Sequence, residues 1–337
     1  MKRPIFSFVI PTYNSEKTLA KTLMSIMQQG FEPELLEILI IDGGSTDATL
    51  EIAAKYGALI IENPKRLPEY AKFIGMNKAT GKYIVKMDSD EAFTSNLQLK
   101  KRLQLVEKWP DVKCVLADRL KKPTEGNWGI ANEYINLFGD PFSFFVYKSK
   151  GTVLQSFKKS VKSICDNVLC KLEFEQNDLL PIADGGTTML DLDYMRENFQ
   201  KEMQSESFAS FASQLIMTKT GCCGCVIGDE IIHYSRADLK SFLKKLRFRV
   251  ISNLFYKQSS GFSVRAQGNA KLKLRKLLYP LYAISIIFPL YDSCKISVRQ
   301  KDVSLMLHFF YVYYILMAML WYTFKSFIIK PKANTEY

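Results

Sequence analysis

The run Met87-Asp88-Ser89-Asp90-Glu91 is where this sequence most plainly offers chemistry. It closes a compact apolar stretch, Tyr83–Met87, that reads as a buried strand. Carboxylates at i and i+2 of an extended chain project in similar directions. Placed where a strand becomes a loop, they are hard oxygen ligands suited to Mg²⁺ or Mn²⁺ that also hold substrate phosphates. Two acids that close repel each other unless a cation or a proton intervenes. A second group is Ile40-Ile41-Asp42-Gly43-Gly44-Ser45-Thr46-Asp47: a strand, an acid, a Gly-Gly turn and a helix start. Asp42 stands where a strand-end carboxylate can meet a base edge or a ribose, and Gly44 belongs to a turn that lets backbone approach closely. An aspartate that only caps the next helix satisfies the same pattern. A third group, Val9-Ile10-Pro11-Thr12-Tyr13-Asn14-Ser15, feeds a strand into a loop and a helix, with Tyr13 able to stack on a base. A fourth places Lys72 on the helix before the Asp88 strand, where its charge can neutralise a diphosphate.

The intervening segments must position these groups. Ile5–Ile10 and Leu36–Ile41 are continuous apolar runs, as in strands buried on both faces. Ala58–Ile61, Tyr83–Met87 and Val112–Ala117 read as further strands. Ser15–Gln29, Thr46–Tyr56, Glu69–Ala79 and Asn96–Trp109 carry helical spacing between them. This alternation predicts an α/β domain with a mostly parallel sheet and helices on both faces. Ligands of such sheets bind at the carboxyl ends of the strands, which is where all four groups fall. Residues 120–235 are less regular. They hold the aromatic stretch Phe138–Tyr147, a loop through Ala183-Asp184-Gly185-Gly186-Thr187-Thr188, and a helical pattern over Phe208–Met217.

Composition fixes the remaining bounds. The 337 residues are 47% hydrophobic and 24% charged, which excludes a disordered or collagen-like chain. The net charge of +12 points to an anionic partner, and its location narrows the choice. Between Arg236 and Lys276, twelve basic residues face one acid, Asp238. Seven cysteines, an odd number with no framework spacing, predict free thiols in a reducing compartment. The Cys222-x-x-Cys225 pair has no second pair at zinc spacing and reads as buried thiols. Met1–Pro11 reads as a first strand, not a signal peptide.

Residues 237–251 form a basic helix with Leu239, Phe242, Leu243, Leu246 and Val250 along one side. Such a helix suits the surface of an anionic membrane, or the surface of its own domain. Val303–Phe324 carries no charge over 22 positions, enough to span a hydrocarbon core. Its tyrosines and Trp321 suit the headgroup region. Leu277–Tyr291, interrupted by Pro280 and Pro289, is short for a span and fits an interfacial or re-entrant piece. These apolar neighbours make lipid a better partner for the basic block than nucleic acid.

Together the motifs resemble the family-two inverting glycosyltransferases of the GT-A fold. The likeness rests on Phe8-Val9-Ile10-Pro11-Thr12-Tyr13-Asn14, Ile41-Asp42-Gly43-Gly44-Ser45-Thr46-Asp47, Ala71-Lys72 with Gly75, Ala79-Thr80-Gly81-Lys82-Tyr83-Ile84, and Asp88-Ser89-Asp90. It is close over residues 5–93, loose through Asp184–His233 and absent from the tail. The resemblance implies a GT-A (Rossmann-like) fold and a nucleotide-sugar donor. It implies that Asp42 binds the base and that Pro11, Thr12, Tyr13, Asn14 and Glu16 line the nucleoside site. It implies that Asp88 and Asp90 bind the ribose and a divalent cation, Mn²⁺ or Mg²⁺, on the diphosphate. Lys72 stands where the family usually has arginine, keeping the charge without the bidentate fork. His233 matches a histidine that approaches the metal. Inversion needs a base for the acceptor hydroxyl. Glu206 is the nearest counterpart, with Asp184, Asp191 and Asp229 as rivals, and Asp184-Gly185-Gly186 resembles the acceptor loop.

The expectation is therefore a glycosyltransferase domain at 1–235, a basic amphipathic region at 236–276 and a hydrophobic membrane-associated region at 277–330. The acceptor is expected to be lipid-linked or a glycan, reached from the cytoplasmic face of the membrane. Two other readings share the acid pair. A nucleotidyltransferase would carry a glycine-rich loop after the first strand, and Pro11–Ser15 has no glycine. A membrane-anchored nucleotide-sugar binding protein would bind donor without turnover.

Overall fold

A computed structural model describes residues 2–126, 128–157, 161–175, 178–180, 186–235, 238–255 and 270–328. The chain divides into two compact units, Met1–Glu125 with Gly151–Ser235, and Gly126–Lys150 with Arg236–Tyr337.

In the first unit the strands are β1 (Phe6–Thr12), β2 (Leu36–Asp42), β3 (Leu59–Glu62), β4 (Tyr83–Lys86), β5 (Glu91–Phe93), β6 (Cys114–Leu116), β7 (Arg119–Lys121), β8 (Lys162–Asp166), β9 (Leu169–Glu173), β10 (Thr188–Asp191), β11 (Cys222–Val226) and β12 (Glu230–His233). The helices of the chain, in order, are α1 (Leu19–Met27), α2 (Thr49–Lys55), α3 (Pro68–Lys78), α4 (Gln98–Lys108), α5 (Asn132–Phe138), α6 (Pro141–Tyr147), α7 (Val153–Phe157), α8 (Leu192–Asn198), α9 (Phe208–Thr220), α10 (Leu239–Phe255), α11 (Ala270–Ile284), α12 (Ile287–Gln300) and α13 (His308–Ile328).

Nine strands form the main sheet in the order β3-β2-β1-β4-β10-β6-β11-β9-β8. The first four are parallel to their neighbours, as the alternating pattern predicts. Their apolar runs are continuous because both faces are covered. Phe6, Phe8 and Ile10 face one layer with α1 and α4, while Val9, Leu39 and Ile41 face the other with α3, α8 and α9. The sequence reading differs from the structure at β10. This four-residue strand lies antiparallel between β4 and β6, so those two strands are not neighbours. A further difference is Cys165–Cys170, a disulfide joining residues directly opposite in the β8–β9 pair. Those two cysteines are not the free thiols expected, whereas Cys222, Cys223 and Cys225 are buried thiols on β11 as expected. A separate three-stranded sheet, β5-β12-β7, sets His233 opposite Glu91.

Two contacts fix the site's scaffold. Arg102 and Asp229 are both fully buried and paired at 2.7 Å, and Arg102 also donates to the Thr187 carbonyl. Asp229 thus holds the core and is removed from the candidate bases. Gly75 lets α3 press directly on β1, because an added Cβ would overlap the Val9 side chain.

The second unit has its own core. The expected basic helix is α10, but its stripe Phe242, Leu246 and Val250 is buried against Tyr134, Tyr311 and Val312, not presented to an interface. The more exposed apolar side chains lie on α11, α12, α13 and the short turn before α13, where Leu277, Ile287, Phe327 and Val303 are each largely exposed. Among the described residues, Val303–Phe327 is long and apolar enough to cross a membrane. The stretch expected to be re-entrant is α11 and α12, bent by 95° at their junction, where Ile286 takes a left-handed φ of 58°.

Replacing Gly75 with alanine should cost about 1–3 kcal/mol, since α3 must back away from Val9. Urea unfolding of wild type and Gly75→Ala checks this, and an unchanged midpoint would disprove the close approach.

Candidate functional site

The parallel strands deliver their carboxyl ends to one edge. Thr12 is level with Asp42 and Val9 with Lys86, so the loops after β1, β2 and β4 gather there. The first two loops are laced together. Asp42 is buried, and its carboxylate accepts from Thr12 Oγ1 at 2.9 Å, Ser45 Oγ at 2.5 Å, Gly44 N at 2.9 Å and Ser45 N at 2.8 Å. Four contacts fill the acceptor positions of a carboxylate. Asp42 therefore shapes the Gly43-Gly44 turn, whose Gly44 has a φ of 87°. Asn14 Oδ1 accepts from Thr46 N at 2.9 Å, and Glu16 accepts from Ala48 N at 3.3 Å. These residues brace the crevice. Pro11 is the penultimate residue of β1 and Thr12 its last, while Tyr13 is 57% exposed beside Gly43 and can receive a flat ligand.

The loop after β4 is tied to the same edge by Ser89, whose hydroxyl meets Ser15 Oγ at 2.9 Å and whose carbonyl accepts from Thr22. On either side of Ser89 the two aspartates diverge. Asp88 pairs with Lys72 Nζ at 3.2 Å, and Asp90 pairs with His233 Nε2 at 3.3 Å. Burial works to lower the Lys72 pKa, but Asp88 and, more weakly, Glu91 and Glu69 outweigh it, so the value is raised. The expected three-ligand set Asp88, Asp90 and His233 is therefore not gathered at one point. Among the described residues no three His, Cys, Asp or Glu side chains stand ready around a cation. Like charge favours the separation, Asp88 turning to the Lys72 ammonium and Asp90 to the His233 imidazole. The Asp90–His233 pair alone, one hard oxygen beside one imidazole, still fits a divalent ion that keeps positions for substrate oxygens.

Sequence reasoning gave Glu91 no role, and it proves central. It is buried, accepts from Gly186 N at 3.0 Å and Thr187 Oγ1 at 3.3 Å, and receives the Asp88 N–H at 3.2 Å. Burial first, then Asp88, push its pKa up to about 7 against the opposing pull of His233. The available signal was a third acid directly after the Asp88/Asp90 pair, within a segment of strand character. Through Gly186 and Thr187 this carboxyl anchors the end of the expected acceptor loop. Asp184 lies outside the described residues. Glu206 is exposed and pairs with Lys65 at 2.6 Å, in the segment that also brings Arg66 beside the Gly43-Gly44 turn. Asp191 caps α8 through Tyr194 N and pairs with Lys113, a structural assignment.

Residues 7–165 match the family described as Glycosyl transferase family 2. The match takes in a little under half of the chain and makes this segment similar to that family. It is 34% identical over 116 residues to a protein of Haemophilus influenzae described as an uncharacterized glycosyltransferase, covering 32% of this chain and 44% of that one. It is 33% identical over 92 residues to the poly(ribitol-phosphate) beta-N-acetylglucosaminyltransferase TarS of Staphylococcus aureus, covering 26% of this chain and 16% of that one. The chain thus spans less than half the length of these relatives. Among solved structures, the mannosyltransferase PcManGT of Pyrobaculum calidifontis, in complex with GDP-Man and Mn²⁺, aligns with a TM-score of 0.54 at 14% identity. That alignment covers 95% of this chain and 88% of the other, and it shows the shared fold. The GT-A architecture expected from the motifs is thus the architecture present.

Because the native state holds the Glu91 proton more tightly than an unfolded chain does, stability should fall as pH rises from about 4.5 to about 7, then level off. Urea midpoints across that window test the sign. Glu91→Gln should flatten the slope; an equal slope in the variant would remove Glu91 as its source.

Proposed function

We propose that the protein is an inverting glycosyltransferase that moves a sugar from a nucleotide-diphosphate donor to a hydroxyl or phosphate acceptor. One observation carries the reading. A family-two domain presents Asp88, Asp90, Glu91, Lys72 and His233 at the edge where its parallel strands end. The glycosyl transfer in the name of the relative TarS and the GDP-Man bound to the fold neighbour PcManGT support a nucleotide-sugar donor.

Each side chain then has a task. Tyr13 stacks on the base, while the turn held by Asp42 brings the Gly43 and Gly44 backbone to the nucleoside. Asp88 receives the ribose, and Lys72 beside it neutralises diphosphate charge. Asp90 and His233 would hold the Mn²⁺ or Mg²⁺, which when bound stabilises the departing nucleotide diphosphate. Glu206 takes the acceptor proton as a general base. Its pairing with Lys65 means that the acceptor must compete for it. Asp184, two positions before Gly186 in the sequence, is the alternative base.

The second unit supplies the setting. Its exposed side chains Leu277, Ile287 and Phe288, with Trp321, Phe324 and Phe327 on α13, support membrane association and hence a lipid-linked acceptor, with a glycan as the alternative. The +11 carried by residues 236–276 supports the cytoplasmic face.

Asp90→Asn should lower cation-dependent nucleotide release from a panel of nucleotide-diphosphate sugars by about 100-fold or more. Undiminished release would refute the cation assignment. Glu206→Gln should leave donor binding intact, read by thermal shift with Mn²⁺, yet slow transfer by about 100-fold.

A further inference from the structure

Two features of the second unit meet along the same pair of helices. The first is a groove of about 390 Å³ lined by Phe145, Leu278, Leu281, Tyr282, Phe288 and Asp292. Its wall is apolar except at Asp292, whose carboxylate accepts from Tyr282 Oη at 3.0 Å. The second is a cluster of cations. Arg275 Nη1 donates to the Val146 carbonyl at 2.9 Å, which sets the guanidinium at the end of α6, two residues before the exposed Lys148. Lys148 has its pKa lowered, first by Arg275, then by burial and by Lys150. Lys276 follows Arg275 in the sequence, and α11 contains no acid. Lys148, Lys150 and Arg275, like charges drawn this close, favour an anion among them.

The two features are continuous. Arg275, Leu278 and Tyr282 follow one another at helical spacing on α11, and Phe145 lies in the last turn of α6, which Lys148 caps. A ligand with an apolar tail and an anionic head would match both features at once. The carboxylate of Asp292 would repel such a head from the other part of the groove, which fixes the direction of binding.

We propose that this unit binds one anionic membrane phospholipid, its phosphate against Lys148, Lys150, Arg275 and Lys276 and its acyl chain in the groove of Phe145, Leu278, Leu281 and Phe288. The proposal rests on the membrane reading above and deepens it from general adhesion to recognition of a head group. It does not depend on the transferase chemistry.

Flotation of the full chain tests it, with vesicles of phosphatidylcholine alone or mixed with phosphatidylglycerol. Preferential flotation with the mixed vesicles is expected, and inorganic phosphate should compete poorly because it lacks the tail. The double variant Lys148→Gln/Arg275→Gln should lose that preference by about 30-fold, two interfacial charges being removed. Lys148→Arg should keep it. The control Lys240→Gln/Lys244→Gln removes two exposed charges from α10 and should cost much less. Equal losses in both double variants would overturn the site in favour of diffuse attraction. Equal flotation on neutral and mixed vesicles would overturn it while leaving membrane association standing. Failure to float on either would overturn both. A groove-filling variant, Leu278→Trp, should reduce phospholipid retained through purification, read by mass spectrometry, and undiminished retention would rule out the groove.

Discussion

Repulsion among three acids at the end of β4 is the constraint around which the first unit is arranged. Asp88, Asp90 and Glu91 fall within four residues, and no such set stays ionised and close without compensation. The fold answers with three different devices. Lys72 is brought from α3 to Asp88, and His233 from β12 to Asp90. Glu91, the most buried, has its pKa pushed up towards neutrality. Each device recruits a separate element, so the acids draw α3, β12 and the loop before β10 to one place.

The same constraint explains why buried ion pairs stand behind the site. Arg102 spans Asp229, at the turn before β12, and the Thr187 carbonyl, at the start of β10. A buried pair of this kind contributes little net stability, but breaking it strands a charge. It fixes where β10 and β12 begin, and those strands carry Thr187–Thr188 and His233 to the acids. Asp42 works in the same manner between β1 and β2: a carboxylate held by its own loop positions the backbone of the Gly43-Gly44 turn.

How much of this was legible follows from the range of the interactions. The parallel half was readable because β1 and β2 are apolar on both faces, a signal contained in six or seven adjacent residues. Asp88-Ser89-Asp90 was readable as a site because its acids follow directly on the buried apolar strand β4, a signal local in the sequence. Strand β10 was not, since four residues announce no period, and its antiparallel place between β4 and β6 depends on long-range pairing. Nor was the separation of the two aspartates, because Lys72 and His233 come from distant parts of the chain. The Cys165–Cys170 pair had a local sign, Asp166-Asn167 between two short polar-apolar runs. Asn167 takes a φ of 50°, which asparagine tolerates in a tight hairpin turn.

The second unit shows why amphipathicity alone does not say what a helix face meets. A basic helix with an apolar stripe is the same pattern whether the stripe meets lipid or protein, and in α10 it meets protein. The distinction lies in what remains uncovered once all helices have packed. Burial of Phe242, Leu246 and Val250 takes up most of the stripe of α10, leaving Leu239 partly exposed and Lys240 and Lys244 on the surface. On α11–α13 the apolar residues outnumber the inward positions available, so Leu277, Ile287 and Phe327 stay outside. Excess apolar surface next to excess positive charge is a combination that water does not stabilise and an anionic bilayer does. The charge pattern and the apolar pattern thus become informative only when read jointly, helix by helix, against the burial that the packed unit has already achieved.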